Sequence, residues 1–207
     1  MINQLVKFTV KPEHNKIFKA ALVEDVRGAD QEKGNMEMKM FVDNNNPNIF
    51  FAYERWENQE ALHFHMKQLY TKKVMEIVEM ALITKPEIIN LDVTNPTPIH
   101  QAKELNSEDE LLTIFFIIKI KKDLLDEVLK EFPRQVKLTR KEEGNILFNL
   151  YQAKELENTF VVYEQWRSKV ALDNHFTLPY SGEMGKILTE AVDGPLPNFM
   201  NFVTLIA

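Results

Sequence analysis

The chain repeats itself at a spacing of 110 residues. Residues 50–56 (FFAYERW) recur as residues 160–166 (FVVYEQW), and no gap is needed to extend the match in either direction. The same offset pairs Gly34 with Gly144, Asn35 with Asn145, Ala61 with Ala171, His65 with His175 and Tyr70 with Tyr180. A match that keeps one offset across a Trp and a His indicates that the chain contains two copies of one fold.

Hydrophobic periodicity predicts the same elements in each copy. Residues 5–10 and 112–120 are rich in β-branched and aromatic side chains and predict a first strand. Apolar residues then recur at helical spacing from 13 to about 32 and from 123 to about 143. Gly34 and Gly144 stand where a glycine commonly ends a helix. The first half of each copy is therefore a strand followed by a helix.

The second half of each copy reads as two strands, a helical region and a last strand. The third strand ends at Trp56 or Trp166, and Asn58 or Ser168 can cap the helix that follows. Residues 88–93 and 199–206 predict the closing strand. Apolar side chains that alternate along the second strand are expected in the sheet core; they are Met36, Met38 and Met40 in the first copy and Ile146, Phe148 and Leu150 in the second.

The order β-α-β-β-α-β is the ferredoxin-like arrangement, an antiparallel sheet with helices on one face. Its other face needs cover, and a tandem chain can provide that cover internally. We therefore predict an α+β protein in which two ferredoxin-like repeats pack their sheets as an intramolecular dimeric α+β barrel. The predicted division is a first domain over 1–95, a proline-containing linker over 96–110 and a second domain over 111–207.

Composition restricts the chemistry that is available. The chain has 25 Lys and Arg against 31 Asp and Glu, a net charge of −6, and this acidity argues against a nucleic-acid or anionic-membrane partner. It has no cysteine, which excludes disulfides, thiolate nucleophiles and Cys-ligated metals. No apolar run approaches the roughly 18–20 residues of a membrane span. A soluble, cytoplasmic protein is expected.

A short series of motifs occurs in both copies: Gly-Asn, then Tyr-Glu-x-Trp, then Ala-Leu, then His. In this pattern each copy resembles the antibiotic biosynthesis monooxygenase (ABM) domain of the dimeric α+β barrel superfamily. The resemblance implies a small-molecule pocket in each repeat. It also implies oxidation of a small aromatic or quinol by molecular oxygen without a cofactor. The residues that carry it are Gly34-Asn35, Tyr53-Glu54-Arg55-Trp56, Ala61-Leu62 and His65, and Gly144-Asn145, Tyr163-Glu164-Gln165-Trp166, Ala171-Leu172 and His175.

His65 and His175 are the candidate catalytic residues. Imidazole titrates near neutral pH, so each could remove a phenolic proton or stabilise the anion that results. Helical spacing places each histidine on the face of Ala61 or Ala171, towards the sheet. The alternative is a packed histidine that only fixes its helix.

The candidate substrate-binding residues surround these histidines. Trp and the Glu two positions before it share one strand face, which suits a pocket wall, although both could be core residues. The Asn after each Gly could contact a substrate oxygen or only complete the turn. A tyrosine five residues after each His can donate a hydrogen bond but is a poor base. The set is Asn35, Glu54, Trp56 and Tyr70 in the first copy and Asn145, Glu164, Trp166 and Tyr180 in the second.

Two other functions use the same fold. A non-catalytic protein could hold a lipophilic molecule or haem, although the Asn that haem-degrading relatives carry on the first strand is replaced near Leu5 and Phe115. An isomerase of a small oxo-compound would also need only a base and an anion site. No metal site is expected, because His63 and His65 lie on different sides of one helix. The expected partner is a small aromatic or lipophilic molecule, and a homo-oligomer of the pseudo-dimeric chain stays open.

Overall fold

The two copies of the repeat form the same series of elements in the computed structural model, which describes residues 1–207. The first copy contains β1 (Ile2–Thr9), α1 (Asn15–Ala29), β2 (Asn35–Asp43), β3 (Ile49–Trp56), α2 (Gln59–His65), α3 (Leu69–Ala81) and β4 (Glu87–Pro96). The second contains β5 (Leu112–Lys119), α4 (Leu125–Thr139), β6 (Asn145–Ala153), β7 (Leu156–Trp166), α5 (Lys169–Thr177), α6 (Pro179–Ala191) and β8 (Met200–Leu205). The predicted order is confirmed, with the second helical region of each copy divided into two helices.

All strand pairs within each copy are antiparallel. β1 lies between β3 and β4, and β3 also pairs with β2. β5 lies between β7 and β8 in the same way, and β7 also pairs with β6. The strand order β1-β3-β2-β8-β5-β7-β6-β4 closes on itself. The α+β class and the eight-stranded antiparallel barrel expected from two ferredoxin-like repeats are therefore confirmed.

The chain divides into two compact units. Unit 1 comprises Met1–Leu91 and Thr204–Ala207, and unit 2 comprises Asp92–Val203. Residues 97–111 contain no helix or strand. Within unit 2 the Lys103 amide in this segment donates to the Ile146 carbonyl over 3.0 Å. The division into 1–95, 96–110 and 111–207 stays a prediction.

Each unit has its own apolar core between helices and sheet. In unit 1 the ring of Phe18 on α1 packs edge-on against Phe8 and Phe50, with centroids 5.3 and 5.4 Å away. In unit 2 Phe132 on α4 packs edge-on against Phe160 at 5.0 Å. Burial of such rings supplies most of the driving force that holds a helix on a sheet.

One residue that the alternating pattern placed in the core is exposed. Met38 and Met40 are buried as expected, but Met36 is 46% exposed. The β2–β3 pairing shifts register between Asn35 and Glu37, and such a bulge breaks the alternation of faces. The prediction for Met36 is therefore wrong for a local reason.

The two glycines of the repeated motif do not cap helices. α1 ends at Ala29 with Asp30 as its cap, and α4 ends at Thr139 with Arg140 as its cap. Gly34 and Gly144 come several residues later, and a Cβ on either would lie 2.7 or 2.6 Å from the Cβ of Ala61 or Ala171. Glycine is required there because the next helix passes too close for any side chain.

No helix of the chain has the length and hydrophobicity needed to cross a membrane.

Candidate functional site

Short capped helices place the two histidines. The side chain of Asn58 accepts the amide of Ala61 at the start of α2, and Ser168 accepts the amide of Ala171 at the start of α5. These caps satisfy amide groups that a helix start leaves without partners. His65 is 2% exposed and His175 is 4% exposed, so both point into their units as predicted from helical spacing.

Each histidine packs on the tryptophan of its own repeat. The ring centroids of Trp56 and His65 are 4.6 Å apart, and those of Trp166 and His175 are 4.8 Å apart. The indole thereby fixes one face of each imidazole. The structure brings together in each unit the Trp and the His that the sequence pattern singled out.

A glutamate that the sequence argument did not select anchors each histidine. His65 Nδ1 lies 2.9 Å from Glu32 Oε1, and His175 Nδ1 lies 2.6 Å from Glu142 Oε1. Tyr70 donates to that same oxygen of Glu32 over 2.5 Å. Because a carboxylate oxygen only accepts hydrogen bonds, Nδ1 is the donor of each ring in this contact.

The tyrosines donate hydrogen bonds to the glutamates and do not act as bases. Tyr180 donates to Glu142 as Tyr70 does to Glu32. Burial, and then the bond to the glutamate, raise the pKa of both phenols above the ordinary value. Each phenol therefore remains protonated at neutral pH and holds its glutamate in place.

The second glutamate of each site lies beside the tryptophan. Trp56 Nε1 donates to Glu54 Oε2 over 3.2 Å, and Trp166 Nε1 donates to Glu164 Oε2 over 2.8 Å. This contact follows from the shared strand face of residues two apart.

The two Trp-bonded glutamates have different further partners. In unit 1 Gln4 also donates to Glu54 Oε2, over 2.9 Å. In unit 2 Ile114 faces Glu164 at the corresponding register position and has no donor to offer. Burial raises the pKa of Glu164 to about 7, against the lowering effects of the Trp166 bond and of His175. Glu164 therefore exchanges a proton near neutral pH.

The second ring nitrogen of each histidine, Nε2, has different surroundings in the two units. In unit 1 His65 Nε2 lies 3.7 Å from Asp25 Oδ2, and Thr71 donates to the other Asp25 oxygen over 2.8 Å. Burial raises the pKa of Asp25 to about 6, although His65 lowers it. In unit 2 Gln135 occupies the position of Asp25, and Ser181 Oγ lies 3.1 Å from His175 Nε2.

Unit 2 contains a cavity of about 160 Å³ next to His175. Four polar side chains line it, those of His175, Glu164, Ser181 and Gln135. The remaining walls are largely apolar and include Phe116, Phe132, Phe148, Leu150, Val162 and Met184. A few polar groups that meet in an apolar cavity are the usual mark of a small-molecule site.

The other predicted residues of unit 2 do not line this cavity. Trp166 and Tyr180 support Glu164 and Glu142 from outside it. Asn145 is fully buried, and its Nδ2 donates to the carbonyls of Leu147 and Gln165 where β6 and β7 shift register. Its Oδ1, like that of Asn35, is buried without a hydrogen-bond partner.

The repeat pattern could have identified the two glutamates that anchor the histidines, although the motifs did not include them. Glu32 and Glu142 keep the offset of 110, as do the hydroxyl residues Thr71 and Ser181. Gln135 could not have been found in this way, because its partner in the offset is Asp25. No group of three or more His, Cys, Asp or Glu residues has the arrangement needed for a metal ion.

Comparison with known proteins identifies relatives of both repeats. The sequence model of the family described as "Antibiotic biosynthesis monooxygenase" (ABM) matches residues 1–76 and 112–186. Protein sll1783 of Synechocystis sp., which is uncharacterised, is 30% identical over 82 residues, or 40% of this chain and 56% of sll1783. YcnE of Bacillus subtilis, provisionally named a monooxygenase, is 38% identical over 58 residues, or 28% of this chain and 61% of YcnE. The chain thus matches somewhat over half the length of these relatives.

The whole chain also resembles a solved structure. A provisionally named monooxygenase from Fusobacterium nucleatum superposes with a TM-score of 0.83, covering 100% of this chain and 92% of that one, at 17% identity. A likeness at this identity concerns the fold.

Proposed function

The chain belongs to the antibiotic biosynthesis monooxygenase family, and from this premise we propose that unit 2 oxidises a small phenol or quinol with molecular oxygen, without a bound cofactor. The observation that carries the proposal is the meeting in one apolar cavity of His175, which Glu142 anchors through Nδ1, and Glu164, whose pKa is about 7. Proton transfer requires a base and an acid that both reach the substrate, and these two side chains line the same cavity.

In the proposed reaction His175 Nε2 accepts the hydroxyl proton of the substrate. Glu142 stabilises the imidazolium that forms, because it already holds Nδ1, and Tyr180 keeps Glu142 in position. This arrangement lets the ring change charge without moving. The apolar walls exclude water from the resulting anion, which favours its reaction with oxygen.

Glu164 has the complementary task. With a pKa of about 7 a fraction of its side chains is protonated at neutral pH, and a protonated carboxyl can donate to an anionic oxygen. It then supplies a proton to the oxygen atom that leaves as water.

The reaction balances without an external reductant. A hydroquinone and one O₂ give a hydroxyquinone and one water. The O–O bond breaks: one oxygen atom replaces a hydrogen on the ring and forms the new carbon–oxygen bond, and the other leaves as water with the two hydrogens that the substrate loses. The substrate supplies all the electrons that oxygen needs.

In unit 1 we assign the equivalent residues a structural role. The Nε2 of His65 faces the carboxylate of Asp25, and Glu54 accepts from both Gln4 and Trp56. These polar groups interact with one another, so fewer hydrogen-bond donors and acceptors remain for a ligand. The proposal therefore places turnover at His175 and not at His65.

Oxygen uptake with a panel of substituted hydroquinones and phenols tests the proposal. We expect His175→Ala to reduce uptake at least 100-fold, within the usual range for removal of a general base. His65→Ala is the matched control and should keep most of the activity of the wild type. His175→Gln, which preserves the side-chain volume more closely, separates a loss of chemistry from a loss of folding, and circular dichroism checks each variant. Equal uptake by the His175 and His65 variants would overturn the assignment.

A ligand-binding protein without turnover is the second candidate, and the apolar cavity favours it equally. Its volume of about 160 Å³ lies below the roughly 300–1,000 Å³ of pockets for drug-sized ligands, which favours a ligand smaller than haem. Binding of a small phenol without oxygen uptake on any quinol would support this function instead.

A further inference from the structure

We infer that the cavity of unit 2 takes a ligand with one aromatic ring and a hydroxyl group turned towards His175, and that the absence of a side chain at Gly185 makes room for this ring. The inference rests on the function proposed above, since it names the substrate class of the same site. It concerns binding, however, and is tested without turnover.

The cavity volume defines the size of the ligand. About 160 Å³ is close to the roughly 150 Å³ of an apolar cavity that binds benzene. Two or three fused rings would need the walls to move. Protein interiors are close-packed, so such movement is costly.

The polar groups define its chemistry. His175, Ser181, Glu164 and Gln135 belong to the lining, whereas the rest of the cavity is largely apolar. A ligand must therefore present a polar group towards the histidine and an apolar body elsewhere. Phenols and single-ring quinols have this shape, and a phenolic hydroxyl can donate to Nε2 while it accepts from Ser181.

Helix α6 forms one wall of the cavity with a single face. Ser181, Met184, Gly185 and Leu188 all belong to the lining, and they follow the i, i+3, i+4, i+7 spacing of one helix face. Gly185 lies four residues, just over one turn, after Ser181, about 6 Å along the axis. A ligand whose hydroxyl group reaches His175 and Ser181 would lay its ring beside Gly185.

The absence of a side chain at Gly185 leaves this space open. A Cβ placed there would find no atom within 4 Å. Side chains on a helix lean towards its N-terminus, so a longer side chain at 185 would extend towards Ser181 and occupy the position of the ring. Glycine weakens a helix interior relative to other residues, and the corresponding residue of unit 1 is Met75.

Gly182 provides a matched control on the same helix. A Cβ at Gly182 also finds no atom within 4 Å, but Gly182 does not line the cavity. Leucine at either position should raise the melting temperature, because it strengthens the helix. Only leucine at 185 should occupy the ligand space.

The test measures binding of phenol, 1-naphthol and 1-hydroxyanthraquinone by calorimetry or NMR, under anaerobic conditions so that no turnover occurs. Phenol should bind at least tenfold more tightly than the three-ring compound. Gly185→Leu should weaken phenol binding at least tenfold, Gly185→Ala should weaken it less, and Gly182→Leu should leave the wild-type Kd unchanged.

Two outcomes would overturn the inference. One is binding of 1-hydroxyanthraquinone as tight as that of phenol, and the other is an equal effect of leucine at 182 and 185. Failure of the proposed oxygenase function gives a different result, namely phenol binding that depends on Gly185 with no oxygen uptake.

Discussion

Glu164 and Glu54 differ in one hydrogen-bond donor. Glu54 and Glu164 occupy the same place in the repeat and accept from the same indole nitrogen. The cross-strand residue differs, since Gln4 donates to Glu54 and Ile114 faces Glu164. A buried carboxylate that loses a donor holds its proton more tightly. Replacement of one amide by an aliphatic side chain thus accompanies a carboxyl that titrates near neutral pH.

Glu164→Gln should change how stability depends on pH. The folded-state pKa of Glu164 is about 7 against an ordinary value of 4.5, so between these values the folded state binds more protons than the unfolded state. The contribution of this group to the free energy of unfolding therefore falls as pH rises from about 4.5 to about 7 and is constant above. The full loss is about 3 kcal/mol. Urea denaturation across this pH range should show a smaller decline for the variant.

Glu157→Gln is the control for this change. Glu157 lies on the same strand, β7, and is exposed, so its replacement removes one carboxylate without altering a buried site. The wild type and this control should share one pH profile. A profile for Glu164→Gln that coincides with theirs would contradict the role assigned to burial.

At the scale of elements, the small residues of the repeated motif allow a helix to pack close to a strand. Gly144 and Ala171 are both small, and a Cβ at 144 would lie 2.6 Å from that of Ala171. The contact positions α5, and α5 carries His175 against Trp166. The conformation of Gly144 does not itself require glycine, since only Gly34 and Gly194 have positive φ.

A double-mutant cycle tests this close approach. Gly144→Ala should lower the free energy of unfolding by about 1–3 kcal/mol, as overpacking does. Ala171→Gly should also destabilise, by about 1 kcal/mol, through helix propensity. The double variant should be more stable than the sum of these losses predicts, because removal of the Ala171 methyl admits the new one. Urea denaturation measures all four proteins, and simple additivity would refute the contact.

Sequence patterns predicted elements better than they predicted side-chain partners. Strands, helices and the caps at Asn58 and Ser168 follow from local periodicity and local hydrogen bonding. The partner of His175 is Glu142, 33 residues away, and no local pattern reports such a pairing. Met36 was placed in the core because a bulge in the strand pairing leaves no mark on alternation.

At the scale of the whole molecule, the two repeats share the contacts among Trp, His, Glu and Tyr but differ in other residues near these contacts. The Trp–His stack and the Glu–His–Tyr bonds occur in both units. Three residues at the same offset differ in character: Gln4 against Ile114, Asp25 against Gln135, and Met75 against Gly185. The sequence could reveal the repeat, but only the structure showed that Gln135 and Gly185 line one cavity with His175 and that Ile114 faces Glu164.

This asymmetry predicts one ligand per chain. Isothermal calorimetry with phenol should give a stoichiometry of one, because the polar groups around His65 bond to one another while His175 borders a cavity. Gly185→Leu should weaken the measured binding at least tenfold, whereas His65→Ala should leave one equivalent with the wild-type Kd. Two equivalents on the wild type would show that the substitutions around His65 have not closed the first site. The divergence of the repeats would then concern substrate choice and not the loss of one pocket.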